Sequence, residues 1–223
     1  MQQYDLCVYG HLTVDRIFTD FKETTSLGAI ANFWNALNKI QSNLKVKLNP
    51  SALGEAIIVI NKTNAQRTGR GNLNIKTIEP PVVDSKWHHI MYLNRLQNKE
   101  FISKISSGII SADLTAGDID ILPMLHKLDF LFVSDEELMM PVDELAKLVK
   151  GWVILHYPSG SYATNGQEVI KSATPLHDNL NVLGAGDTFA ACFIHSMLQN
   201  NNNIKLSIEY AHSATVKVLT HED

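Results

Sequence analysis

Compact apolar runs alternate with amphipathic stretches along most of this chain. Tyr4-Asp5-Leu6-Cys7-Val8-Tyr9 predicts a short strand ending at Gly10, followed by a turn or loop and an extended piece over Arg16 to Phe21. Ala31 to Ile40 carries Phe33, Trp34, Leu37 and Ile40 at helical spacing, which gives one apolar face. Ala56 to Ile60 is rich in β-branched residues, and Leu73 to Ile78 alternates. With the polar stretch Asn61 to Asn72 between them, these two predict a hairpin that Pro80-Pro81 ends.

Beyond the prolines the pattern changes. Trp87 to Leu93, Ile105 to Leu114, Phe130 to Val133 and Trp152 to Leu155 are apolar runs of strand length. Gly117 to Lys127 and Val142 to Lys150 read as helices between them, the second behind Pro141 at a plausible first helical position. Phe189 to Leu198 and Ile204 to Leu219 are apolar helical segments. Strands alternating with helices predict a parallel α/β sheet with helices on both faces. Such sheets bind ligands at the C-terminal strand ends, where Gly10, Asp113, Ser134 and His156 are expected.

Composition narrows the function classes. Apolar residues make up 45% and charged residues 19% of 223, a globular balance sufficient for one sizeable core. A net charge of −4 gives no global attraction to nucleic acid or to an anionic membrane. No apolar run reaches transmembrane length, and the N-terminus lacks the charged-then-apolar pattern of a signal peptide. Cys7 and Cys192 stand in apolar surroundings without CxxC spacing, which reads as reduced core residues in a cytoplasmic protein.

The most telling local pattern is Gly184-Ala185-Gly186-Asp187-Thr188-Phe189. Small residues before an apolar helical run make a turn whose free N–H groups and helix dipole suit an anion. A carboxylate at that place can take a proton from an attacking hydroxyl while the turn stabilises developing charge. Phosphoryl transfer to an alcohol uses that combination. Gly184 to Asp187 also read as a tight connection with an acidic first turn.

Three motifs, in order, resemble the ribokinase-like (PfkB-type) carbohydrate kinase family. Asn181 to Phe189 resembles its C-terminal signature, which implies Asp187 as catalytic base and Gly184, Ala185 and Gly186 as the anion hole. Gly10 with Asp15 resembles the opening strand and its sugar-binding aspartate, and Gly28-Ala29-Ile30-Ala31-Asn32 with Ala36 resembles the N-terminal glycine signature. Ser134-Asp135-Glu136-Glu137 resembles the Asn-x-x-Glu motif linked to magnesium and phosphate. The resemblance spans nearly the whole chain. It implies a three-layer α/β/α fold with a mostly parallel central sheet, as a single domain over 1–223 with β-lid elements around 16–26 and 56–80.

The resemblance also implies a substrate set and roles. The expected reaction is ATP-dependent phosphorylation of a sugar or sugar-like hydroxyl, with Mg2+, in the cytoplasm and without nucleic-acid or membrane partners. A homodimer through the lid is expected from its unpaired strand edges. Asp15, Gly28 and Asn32 would bind substrate, Gly160, Ser161, His212 and Asp113 would contact the nucleotide, and Glu137 and Ser134 would serve the metal. Other readings of these residues stand beside those roles. Asp15 also reads as a turn aspartate, Asn32 as a polar residue near a helix start, Gly28 as a turn glycine, and Asp135 to Glu137 as a solvated helix N-terminus. His212 also reads as structural, and Arg67 and Arg70 read either as able to reach a phosphate on the substrate or as exposed hairpin charges. His88 and His89 point to opposite faces of a strand and form no metal site by themselves.

The chain departs from the family pattern at several places. Asn181-Val182-Leu183 stands where relatives hold a monovalent cation, Leu27 replaces the first glycine of the N-terminal pair, and Ser134 replaces an asparagine. Tyr157-Pro158-Ser159-Gly160 stands in place of a Gly-x-x-Gly loop, and little sequence separates Leu48 from the Ala56 strand. Two alternatives follow: a catalytically weak binding or regulatory protein on the same fold, or a kinase for a nucleoside or vitamin precursor.

Overall fold

The computed structural model describes residues 3–19, 22–60, 67–115, 121–136, 138, 140–176, 183–200 and 202–220. By internal contacts the chain divides into two units. The first comprises Met1–Gly10, Leu44–Asn49 and Pro80–Leu176, and the second His11–Asn43, Pro50–Glu79 and His177–Asp223.

The first unit is built on a mostly parallel sheet. The opening residues of β1 (Tyr4–Thr19) pair in parallel with β5 (Ser85–Ile90), which continues to β6 (Ile109–Asp113), β7 (Phe130–Ser134) and β8 (Trp152–Tyr157), all parallel. The apolar runs read as buried strands are therefore buried strands. Two antiparallel strands complete the edge, β9 (Gly160–Thr164) on β8 and β10 (Val169–Ala173) on β9. Neither is legible as an apolar run: β9 is Gly-Ser-Tyr-Ala-Thr, and β10 alternates between exposed and half-buried residues. On the other side the start of β3 (Val46–Ile60) lies beside β1, with Asp5 N–H donating to Lys45 O at 2.9 Å.

One side of this sheet packs against short helical pieces. α2 (Leu122–Leu125) and α3 (Val142–Ala146) bury Leu125, Leu145 and Ala146 in a core with Tyr9, Ile90, Phe101, Leu131 and Val153. Both helices are shorter than their patterns predict. Pro141 is the cap of α3, not its first helical residue. Residues 116–120, part of the predicted Gly117–Lys127 helix, lie outside the described residues.

The second unit holds three longer helices and two antiparallel ribbons. α1 (Ile30–Lys39) packs on α4 (Ala185–Gln199), which packs on α5 (Ile204–Thr220). Phe33, Ala36, Leu37, Phe189, Phe193, Ile194, Ile208 and Ala211 are buried there. β2 (Lys22–Ala29) pairs with the later half of β1, and β3 pairs with β4 (Arg67–Thr77).

Two expectations need correction. Gly10 does not end a strand: β1 runs through it to Thr19, with Gly10 at φ 146, a conformation that suits glycine. Leu48 and Ala56 lie on one continuous strand, β3, with a register shift between Leu53 and Glu55. Cys7 and Cys192 are buried and free, and burial pushes the Cys192 thiol up to about 12. Among the described residues no helix is long and apolar enough to cross a membrane.

Candidate active site

The later half of β1 carries a polar row. His11, Thr13 and Asp15 are buried, while Val14 and Arg16 between and beyond them are exposed. Strand alternation explains this: residues two apart share a face. The β1–β2 pairing sets Gly28 opposite Thr13. A Cβ on Gly28 would lie 1.9 Å from Asp15 Oδ2 and 2.7 Å from Thr13 Oγ1. The missing side chain is thus the space that the Asp15 carboxylate occupies.

Asp15 is 6% exposed. Burial raises its pKa above the ordinary aspartate value, and a hydrogen bond from Thr13 offsets part of that. Its Oδ1 is buried and meets no donor among the described residues. A buried carboxylate oxygen without a donor is costly, and a ligand hydroxyl would relieve that cost.

β2 leads directly into α1. The junction, Ala29, adopts φ 54 and ψ −114, a strained conformation for a residue with a side chain. The turn places Asn32 in the first turn of α1, where its Nδ2 donates to Asp187 Oδ2 at 2.8 Å.

Asp187 sits in the first turn of α4 and is 5% exposed. Gly184 caps the helix at φ 73 without a side-chain cap bond, and the first helical bond runs from Thr188 N–H to Gly184 O at 2.9 Å. Ala185 and Gly186 stand in the first helical turn, where N–H groups lack intrahelical acceptors, so the turn can bind an anion. A Cβ on Gly184 would press to 3.2 Å from Asn32 Nδ2, so this glycine also makes room for the Asn32–Asp187 pair. Two contact groups thus stand in the second unit, Thr13, Asp15 and Gly28 in one and Asn32, Gly184 and Asp187 in the other, with Gly28 four residues before Asn32 across the β2–α1 junction.

Sequence reasoning missed two residues here. His11 Nε2–H donates to Asn74 Oδ1 of β4 at 3.3 Å, and Thr13 donates to Asp15. The signal was the two-residue spacing of His11, Thr13 and Asp15, which reads as a strand face once β1 is known to pass Gly10. Leu27, the departure from the family glycine, pairs with Val14 on the opposite face and is 52% exposed. It takes no space from Asp15.

The remaining predicted residues have local settings of their own. Asp113 ends β6, its Oδ1 accepts from Tyr92 N–H, and its Oδ2 lies 3.6 Å from His89 Nε2. Ser111 Oγ accepts from Trp87 Nε1–H at 2.7 Å and lies 2.8 Å from His89 Nδ1. Hydroxyl, imidazole and carboxylate follow in the order of an acyl-transfer triad. Ser111 is wholly buried, however, and holds the indole, so the chain fastens neighbouring strands together. Ser134 ends β7 and its Oγ accepts from Glu136 N–H at 3.3 Å. Glu137, Asn181 and Val182 lie outside the described residues.

Gly160 opens β9 at φ 154, where a Cβ would stand 2.2 Å from Ser172 O, so close strand pairing accounts for it. Ser161 is buried opposite His156. His212 on α5 stacks at 5.0 Å on the Phe189 ring, and burial lowers its pKa, keeping the imidazole neutral at pH 7. Arg70 is exposed on β4. Among the described residues no group of three His, Cys, Asp or Glu is placed to hold a metal ion.

No protein-family model matches the sequence, and no curated protein matches it. Solved structures do match. Ribokinase of Arabidopsis thaliana, complexed with ribose and ATP, superposes with a TM-score of 0.75 at 16% identity, covering 100% of this chain and 94% of that one. Adenosine kinase of Sinorhizobium meliloti gives 0.76 at 15% identity, with 98% and 94% covered. A pyrophosphate-dependent kinase of the ribokinase family, complexed with a pyrophosphate analog and myo-inositol, gives 0.73 at 15% identity, with 98% and 96% covered. What this chain shares with them at such identity is the fold: an α/β fold of the ribokinase type.

Proposed function

We propose that this protein is a phosphotransferase that phosphorylates a hydroxyl of a sugar or sugar-like molecule, with Asp187 as base and the 184–187 turn as anion hole. The observation that carries this reading is the buried Asp187 carboxylate at a glycine-turned helix N-terminus, aligned by Asn32 at 2.8 Å. The acceptor hydroxyl gives its proton to Asp187 as its oxygen forms a bond to the terminal phosphorus of the donor. The bridging P–O bond of the donor breaks, and its electron pair leaves with ADP. The N–H groups of Ala185 and Gly186 stabilise the charge on the transferring phosphoryl oxygens, an effect typically of ~10²–10³ in rate per donor.

Asp15 and Asn32 orient the acceptor. The unpartnered Asp15 Oδ1 accepts from one substrate hydroxyl, and the Asn32 amide offers both donor and acceptor atoms. The hard oxygen donors of half-buried Ser134 and exposed Asp135 and Glu136 suit Mg2+, which keeps most of its water and takes one or two carboxylates. Bound with the donor, Mg2+ would neutralise phosphate charge. ATP is the proposed donor. Pyrophosphate is the second candidate, because one structural neighbour is a pyrophosphate-dependent kinase.

A second copy of this chain is the proposed partner. Val14, Leu27, Ile57, Val59 and Ile75 are exposed apolar residues on the ribbon strands of the second unit, Val14 directly across from Leu27. Such surface favours association. Light scattering should give twice the chain mass, and Ile57→Asp with Val59→Asp should return it to the monomer mass.

The deciding experiment is a screen for ADP or phosphate release with Mg-ATP and with Mg-pyrophosphate against sugars, polyols and nucleosides, with Asp187→Asn as the blank. A signal that vanishes in the variant supports the kinase reading. Binding of an acceptor without turnover under either donor would instead favour a binding protein on this fold.

A further inference from the structure

We infer that Asn74 is a positioning residue of the acceptor site, carried by a bulge in β4 to the His11 ring and fixing which nitrogen of that ring bears the hydrogen. The inference rests on the kinase reading of the second unit and adds a residue to it.

The bulge is read from the β3–β4 register. Leu53 pairs with Lys76 and Glu55 with Asn72, so Gly54 alone stands opposite Leu73, Asn74 and Ile75. A Cβ on Gly54 would lie 2.6 Å from both Leu73 Cα and Leu73 O, so the excursion of β4 fills the space beside this glycine. Residues in a bulge leave the ladder, and their backbone groups need other partners. Asn72 supplies one, its Oδ1 accepting from Asn74 N–H at 3.2 Å. Gly54 and Asn72 thus shape the place where Asn74 stands.

In the sheet order β3 stands between β1 and β4, so β4 makes no ladder with β1. Asn74 nevertheless reaches β1, where its Oδ1 accepts from His11 Nε2–H at 3.3 Å. A bulge re-aims a side chain in this way. His11 is wholly buried and shares its strand face with Thr13 and Asp15. An amide oxygen only accepts, so the hydrogen of the neutral ring is held on Nε2, and Nδ1 is the acceptor atom of the ring. The polar row that includes Asp15 is therefore ordered from another strand. Loss of the Asn74 oxygen frees the ring to turn or to change tautomer, next to the residues that hold the acceptor.

The test uses the full chain. Nitrogen NMR of the imidazoles, with His11→Gln to assign the signal, should show the hydrogen of His11 on Nε2. Asn74→Leu is similar in size but has no acceptor, and should abolish that signature. The acceptors are ribose, fructose, myo-inositol and adenosine, with Mg-ATP or Mg-pyrophosphate as donor. For any that turns over, Asn74→Leu should raise KM about tenfold and leave kcat within about twofold. Asn74→Asp keeps an acceptor oxygen, so it should hold the hydrogen on Nε2 and return KM to within about threefold of wild type. Folding of each variant is checked by its melting curve, and Asn74→Ala replaces Asn74→Leu if the latter does not fold.

The inference is overturned if the folded variant leaves the His11 signal or the acceptor affinity unchanged, or if Asn74→Asp rescues neither. Failure of both Asn74→Leu and Asn74→Ala to fold would make Asn74 structural and overturn it as well. Where an acceptor binds by calorimetry without turnover on either donor, the kinase reading falls, and dissociation constants take the place of KM in judging Asn74. If none of the four binds or turns over, both readings fall.

Discussion

Asn32 and Asp187, 155 residues apart in the chain, share a hydrogen bond of 2.8 Å from amide Nδ2 to carboxylate Oδ2. The bond fixes the carboxylate on its helix. If this pair is the base and its aligner, Asp187→Asn should lower kcat by about 10³-fold or more while acceptor affinity changes little. Stopped turnover with retained calorimetric binding would support the assignment; a kcat within tenfold of wild type would remove it.

Asn32→Asp tests the same pair by charge. A second carboxylate against Asp187 disfavours ionisation of both, so the base titrates higher. Because the base must be ionised to act, the rising acid limb of the kcat–pH profile should move to higher pH. A limb that stays in place would show that Asp187 does not titrate in catalysis.

Gly28 and Asp15 are coupled by space. A methyl at Gly28 would fall 1.9 Å from Asp15 Oδ2, so the carboxylate must leave its position. Gly28→Ala should raise the acceptor KM by about tenfold or more and cost roughly 1–3 kcal/mol of stability from overpacking. Steady-state kinetics with a urea titration separates the two effects. An unchanged KM would show that the acceptor does not touch Asp15.

Asp15 also has a pH signature. Burial raises its folded-state pKa above the ordinary 3.8, so the folded protein holds the proton more tightly than the unfolded chain. Stability from this group is complete below the unfolded pKa and is lost as pH rises through the folded pKa. Asp15→Asn removes that loss. The melting temperature of the variant should exceed that of wild type by a margin that grows as pH rises from about 4 and then levels off. A margin independent of pH would contradict the burial of an ionisable Asp15.

Ser111 lies in the strand network of the first unit. Ser111→Ala removes the acceptor of the Trp87 indole N–H and the hydroxyl beside His89 Nδ1 in a fully buried setting. The expected loss is about 1–3 kcal/mol, read from the urea midpoint. A loss below a few tenths would mean that water or another group replaces the hydroxyl.

Local pattern alone carried the parallel strands β5 to β8 of the first unit and the helices of the second. Phe130 to Val133 and Trp152 to Leu155 are uninterrupted apolar runs, and a strand buried on both faces requires that. Phe33, Leu37 and Ile40 kept helical spacing, and the small residues of 184–186 announced a helix start open to an anion. Those signals lie within a few residues and depend on backbone preference and burial, so no partner is needed to read them.

Only the tertiary structure decided the rest. β1 continues past Gly10 because β2 is there to pair with it, and the polar row His11, Thr13, Asp15 looks like a loop until that pairing exists. β9 and β10 hold too few large apolar residues to stand out, and become strands by pairing at the edge beside β8. Leu27 reads as the loss of a needed glycine, yet strand register turns it to the outer face. Gly28 is the residue that register sets against Asp15. The Asn32–Asp187 bond joins two helix starts that no local window spans. Residue type and spacing determine which groups are able to do the chemistry, whereas register and helix packing determine which of them touch, because those contacts depend on chain segments far apart in sequence.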